Sequence, residues 1–410
     1  MKAKFALFLS TASLLHAGSP DLETTIAPKP EPWIKPIIDI RARYEYADID
    51  TFDQSNAFTV RERVGLKTQA WNGFSLLVEG EFSQAVVDHY NGGAVGADPF
   101  NPADSVIADP ETNELNQGYL QYTGFDTTAK AGRQRIIYDN AAFIGNAGWR
   151  QNEQTFDAIS LANTSVDKLT LNYAYVNQVN RIFGSEATVK NFEYVDANVN
   201  LFNASYTGIE GVTLGGYAYL MDFEELSAWD NNTFGISAKG TLGGILLYGE
   251  AAYQDQAGLL ADDDAYYAHV TASKTFFGTH TAIIGLENLG QGFKTPLATV
   301  HAFNGFADGT DGGRISGAQN GLTDLYVGYT LPIFFGIKWM NAVRALGDNS
   351  ISAGYGWEYD SVLTKKFDEN FTALAKFAYF HSEDDAYVGG AAGAAIPTTT
   401  RFSVELDYTF

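Results

Sequence analysis

The chain has 410 residues, no cysteine and a formal charge of -23, with 41 glycines, 28 phenylalanines and 23 tyrosines. The acidic balance argues against nucleic acid as a partner, and the missing cysteines exclude a disulfide framework and any thiolate metal site. An aromatic-rich chain of slightly negative mean hydropathy suits strands with one apolar and one wet face better than a helical globular domain, which carries more Leu, Lys and Glu.

The N-terminus places Lys2 and Lys4 before a mostly apolar stretch from Phe5 to Leu15, then small residues at Ala17 and Gly18. This is the pattern of a secretory signal, too short to span a bilayer as a helix. Residues 1–17 are therefore expected to be removed, and the loss of Lys2 and Lys4 takes the formal charge from -23 to -25. No later run of eighteen apolar residues exists, which rules out transmembrane helices. Residues 18–33, with Pro20, Pro28, Pro30 and Pro32, read as an extended periplasmic lead-in.

From residue 34 to 410 the chain alternates. Ile38, Ile40, Ala42, Tyr44 and Tyr46 share one parity, opposite Asp39, Arg41, Arg43 and Glu45. The same rhythm returns at 212–220, 244–253, 266–273 and 351–360. In the last ten residues Phe402, Val404, Leu406, Tyr408 and Phe410 oppose Arg401, Ser403, Glu405, Asp407 and Thr409. One face meets oil and the other water. With an export signal and a final aromatic, the pattern predicts strands that face lipid rather than a second sheet.

Eight short Gly/Asn/Asp-rich links, at 71–74, 123–126, 164–168, 207–211, 241–244, 276–280, 332–336 and 366–371, have the length of hairpin turns. Nine longer polar segments lie between them: 47–57, 83–112, 135–155, 177–191, 222–232, 254–264, 288–320, 345–350 and 381–400. Seventeen connections imply eighteen strands. The expected fold is an all-β, transmembrane, antiparallel up-and-down barrel with short periplasmic turns and long extracellular loops, wide enough to enclose water. Its site is the outer membrane of a Gram-negative-type cell. Lipid, lipopolysaccharide and the barrel-assembly machinery, which would engage the strand ending at Phe410, are its implied partners.

Strand charges belong inside such a wall. Arg41, Arg43, Arg61, Arg63, Lys67, Lys130 and Arg133 are the predicted pore-lining, anion-guiding residues. Seven of the eleven arginines fall in the first 150 residues, so strands one, two and five would form a basic strip favouring carboxylate or phosphate. The alternative is that Asp39, Glu45, Glu79 and Glu81 neutralise it. Two features break parity: Glu62, between Arg61 and Arg63, would face outward unless it sits at the rim or on a bulge. Lys130 and Arg133 have opposite parity, which a bulge at Gly132 would reconcile.

The segment 131–158 contains Gly132–Arg133–Gln134, Tyr138–Asp139, Phe143–Ile144–Gly145, Trp149–Arg150–Gln151 and Phe156–Asp157. It resembles the alginate-export family of outer-membrane barrels, and residues 61–66 resemble that family's second strand. The resemblance implies an eighteen-stranded barrel with an electropositive pore that passes an anionic polysaccharide outward. Independently of it, a polar and aromatic segment between two strands of a wide barrel can fold inward. Asp139, Trp149, Arg150 and Gln151 are the constriction candidates.

Acidic runs at 262–264 and 383–385, and Asp308 with Asp311, lack calcium-loop spacing and read as solvated loop charge. Of six histidines only His269 falls on a clear strand, and Ser273 lies about 13 Å along it, too far to be activated. No catalytic residues, metal or cofactor are therefore expected. The reading is passive diffusion of small or saccharide anions. Alternatives are a general non-selective porin and a secreted soluble β-protein that binds polysaccharide.

Overall fold

The computed structural model describes residues 32–257, 263–349, 354–383 and 396–410. The predicted signal peptide and most of the lead-in lie outside the described residues, as do Asp262, Asp384 and Asp385. Eighteen strands follow one another. They are β1 (Ile34–Ile49), β2 (Ser55–Thr68), β3 (Phe74–His89), β4 (Thr112–Gly124), β5 (Thr127–Gln134) and β6 (Thr155–Asn163). Next come β7 (Leu169–Asn180), β8 (Tyr194–Ile209), β9 (Val212–Met221), β10 (Asn231–Leu242), β11 (Ile245–Ala257) and β12 (Asp263–Phe276). The last are β13 (His280–Leu289), β14 (Leu322–Pro332), β15 (Lys338–Gly347), β16 (Gly354–Lys366), β17 (Phe371–Ser382) and β18 (Thr399–Thr409). Each pairs antiparallel with the next, and β18 closes onto β1 from Asp39–Thr409 to Ile49–Thr399. The strand count and all eight short links agree with the sequence pattern.

Local chemistry explains the short links. Gly243 and Gly244 join β10 to β11 with φ of 59° and 75°, the left-handed pair that a tight hairpin needs. Exposed rings ring this rim: Trp71, Phe125, Phe277, Phe334, Phe335, Phe367 and Phe410. Such a girdle belongs at a membrane interface.

Parity sorts the wall into two faces. On β18, Phe402, Val404 and Leu406 are exposed on the outside while Arg401, Ser403 and Glu405 are buried within. Among the described residues no second sheet covers the apolar face; the one sheet is closed on itself. The soluble alternative loses its basis, because this outer face needs lipid.

Register slips refine the pattern. Glu79 pairs with Gln117 but Gly80 with Leu115, so Asn116 is an extra residue, and the amides of both Asn116 and Gln117 reach Glu79. A slip at Leu346–Gly347 turns Tyr355 inward, where its hydroxyl donates to the Gly321 carbonyl at 2.8 Å, while Trp357 stays outside. Strict alternation over 351–360 would put those two rings on one face. The bulge expected at Gly132 is absent, since register with both neighbours runs unbroken. Gly132 serves a close approach instead: with φ of 124°, a Cβ there would lie 2.2 Å from the Gly118 carbonyl oxygen.

Candidate functional site in the lumen

Residues 135–154, between β5 and β6, enter the barrel and cross it. Ile136, Ala142, Phe143 and Ile144 are buried against the inner face of β7 to β12. The Phe143 ring lies 5.2 Å from Tyr217 of β9, 5.1 Å from Tyr267 of β12 and 5.9 Å from Phe293. Asn203 of β8 donates to Asp139 at 2.7 Å. Asp139 keeps an exposed edge in the lumen, yet partial desolvation by the protein around it pushes its carboxyl up from the usual range.

The second half of the segment lodges against the opposite wall. Arg41 Nη1 donates to the carbonyls of Gly148, Trp149 and Arg150 at 3.2, 3.2 and 3.1 Å, and Arg43 also donates to the Trp149 carbonyl. Gln151 Nε2 donates to Thr59 Oγ1 at 2.8 Å, and Arg63 donates to the Gln151 carbonyl at 3.4 Å. Arg150 pairs with Glu45 and Asp308, each at 3.2 Å.

Two further loops complete the filling. From 90–111, Asp109 meets Arg43 at 2.8 Å and accepts from the Gln151 N–H at 2.9 Å. Burial alone would raise this carboxyl, but Arg43 and Arg150 hold it below the usual range. From 290–321, His301 stacks on Trp149 with centroids 3.5 Å apart, and its Nδ1 lies 2.6 Å from Asp308. Burial lowers the His301 ring to about 3, so it is neutral. Its Nδ1–H then donates to Asp308, and Nε2 accepts from Lys376 at 2.5 Å. Arg314 pairs with Glu287 at 2.9 Å and donates to the Ala142 carbonyl at 3.2 Å, tying this loop to the first.

Of the predicted pore-lining residues, Arg41, Arg43, Arg61 and Arg63 all face inward, and each is paired. Arg41 meets Asp407 at 2.7 Å and Arg43 meets Glu405 at 2.9 Å; Arg61 pairs with Asp39 and Arg63 with Glu81. Lys67 and Lys130 also carry inward parity, and among the described residues neither has a carboxylate partner; Lys130 lies 4.8 Å over the Tyr119 ring. Arg133 does not line the pore. With register unbroken at Gly132 it faces outward, forked onto Asp157 at 2.7 and 3.0 Å. That cross-strand pair removes the penalty that parity reasoning invoked against an outward arginine.

The constriction candidates divide as well. Asp139 is exposed to the lumen, whereas Arg150 and Gln151 are buried and fasten the segment to the wall. The side chain of Asp308, expected as solvated charge, is only 8% exposed and sits between His301, Arg150 and Arg401. Lys376 and Arg401 are not among the pore-lining candidates read from sequence, though strand parity places both inside. Arg135 and His301 lie in loops and Arg314 in a single helical turn (Asp311–Ser316) between β13 and β14, where no strand period signals direction.

Charge is unevenly spread along the axis. Within four residues of the short-turn rim the inward-parity cations are Lys35, Lys67, Lys130, Lys239, Lys338 and Lys366. The inward strand carboxylates at that depth, Glu405 and Asp407, already hold Arg43 and Arg41.

Residues 33–178 match the family model described as alginate export. No curated protein matches the chain. Among solved structures, it is similar to Acinetobacter baumannii OccAB4 at 13% identity, over 93% of this chain and 99% of that one, with a TM-score of 0.69. Pseudomonas aeruginosa OpdQ follows at 12% identity, 92% and 98% coverage and a TM-score of 0.65. P. aeruginosa OpdK, in a structure with vanillate, gives 12%, 92%, 98% and 0.64. At such identities the likeness concerns the fold. The matched family comprises export channels and not enzymes, and the chain is an eighteen-stranded outer-membrane β-barrel channel that carries the alginate-export pattern across β1 to β7.

Proposed function

We propose that the channel passes small anionic solutes, acidic saccharides among them, by passive diffusion. The supporting observation is that Lys67, Lys130, Lys239 and Lys338 carry inward parity at the short-turn end with no carboxylate partner among the described residues, where the inward strand carboxylates are already engaged. Uncompensated ammonium groups around an aqueous mouth raise the local concentration of anions. Three loops inside the barrel favour small solutes over a long polymer. OpdK's structure with vanillate, itself a carboxylate, fits the same size and charge class.

A non-selective porin is the second reading, favoured by the pairing of the lumen-facing strand arginines, Arg41, Arg43, Arg61, Arg63, Arg344 and Arg401, with carboxylates. Reversal potential in a planar bilayer under a salt gradient separates the two. The proposal expects anion preference that falls about two- to threefold in Lys67→Ala/Lys130→Ala, a change that strips no buried carboxylate of its partner. Cation preference, or selectivity indifferent to both lysines, would refute it.

A further inference from the structure

Ionised groups on the outer face at mid-height occur on only three strands among the described residues: Glu62 on β2, Arg133 on β5 and Asp157 on β6. Elsewhere at that depth the outer positions are apolar, small or uncharged. Neither escape foreseen for Glu62 applies. Its register with β1 and β3 is continuous at Ile40 and Phe82, and it lies six residues from the end of β2, roughly 15 Å above the rim for a tilted strand and near the middle of an apolar band about 25 Å tall. It is exposed, and no hydrogen bond or ion pair of its own is present among the described residues. A lone carboxylate in hydrocarbon calls for a partner.

Arg133 lies six residues from the start of β5, at the same depth. Its Nε and Nη2 engage Asp157 and its Nη1 the Leu115 carbonyl, which leaves two of its five N–H groups free. Within one chain Glu62 and Arg133 are three strands apart, about 14 Å, and cannot meet.

We propose that the outer face of β2 to β5 binds a second copy of this chain about a two-fold axis along the membrane normal. Such an axis, passing between β3 and β4, preserves depth and exchanges left for right. Glu62 of each copy then faces Arg133 of the partner. Each guanidinium bridges the partner's Glu62 and its own Asp157, and both copies' outer charges are satisfied. The complementarity comes from equal depth and equal distance from the axis, which a lipid or an unrelated protein would not require.

The same symmetry pairs Val64 with Ala131 of the partner, since each is four residues from its strand's end and both are exposed. The chain has no cysteine, so added thiols report cleanly. Full-length Val64→Cys and Ala131→Cys chains with different tags, co-expressed and oxidised in isolated outer membranes, should give a disulfide-linked dimer carrying both tags. Either variant alone should give none, because like positions stand too far apart for a disulfide. Adding Glu62→Lys should cut the mixed product about tenfold or more by setting like charges together, while heat-modifiable gel mobility confirms a folded barrel. Absence of the mixed product overturns the proposal, as would equal product from one variant alone or product that survives Glu62→Lys in a folded barrel.

Discussion

The segment 135–154 is held by two unlike grips. Its first half sits on tyrosines and phenylalanines of β9, β12 and the 290–321 loop through ring contacts of 5–6 Å. Its second half sits among Arg41, Arg43, Arg63 and the carboxylates they hold. Aromatic packing is indifferent to pH and degrades in proportion to what is removed. A buried ionic grip is conditional: deleting one member strands another charge without water. One loop therefore combines a seat that is robust with a clasp that depends on the protonation of each of its parts.

The severest break of this contrast is Arg43→Met. It leaves Asp109 and Glu405 buried without their main cation, at a local cost of about 3–5 kcal/mol. Hydrogen exchange should accelerate in 148–153 before 136–144, and single-channel conductance should rise and flicker. Phe143→Ala should do the reverse at about 3 kcal/mol, opening 136–144 while 148–153 stays protected. If either substitution released both halves together, the segment would be one cooperative unit and the contrast would fail.

Acid gives the smallest and most discriminating effect. Partial desolvation within the lumen raises Asp139 above the ordinary aspartate value of about 3.9. Its contribution to seating the loop is complete below that value and lost as pH rises through the raised one. Burial opposes ionisation of Asp109, Asp308 and Glu153 too, yet Arg43 and Arg150, then His301 and Arg401, and Arg63 and Arg135, hold them low. Their anchoring is present above the ordinary range and lost only as pH falls through the depressed values. Conductance should thus fall slightly on mild acidification and rise again at lower pH. In Asp139→Asn the first change should vanish and the second remain; persistence of both would remove Asp139 from the account.

The wall was readable because period-two alternation is a local property. Arg401, Glu405 and Phe402 announce their faces from their neighbours alone, and Gly243–Gly244 announces its turn. Arg133 was misread for a physical reason: parity alone carries no knowledge that Asp157, 24 residues on, lies directly across the ladder. Tyr355 was misread because a bulge resets parity without a mark in the sequence. The three inward loops were harder still. Nothing periodic told that His301 would stack on Trp149, or that Arg314 would reach the Ala142 carbonyl 172 residues away.

By itself the sequence determined the eighteen-stranded barrel, its turn rim and the sorting of oily from wet side chains, since each follows from pleat geometry over ten or so residues. Tertiary structure alone decided which charges cancel, which lysines stay unpaired and where the lumen narrows. Those outcomes depend on pairs brought together by closure of β18 onto β1 and by loops meeting across the interior, distances that no local pattern encodes.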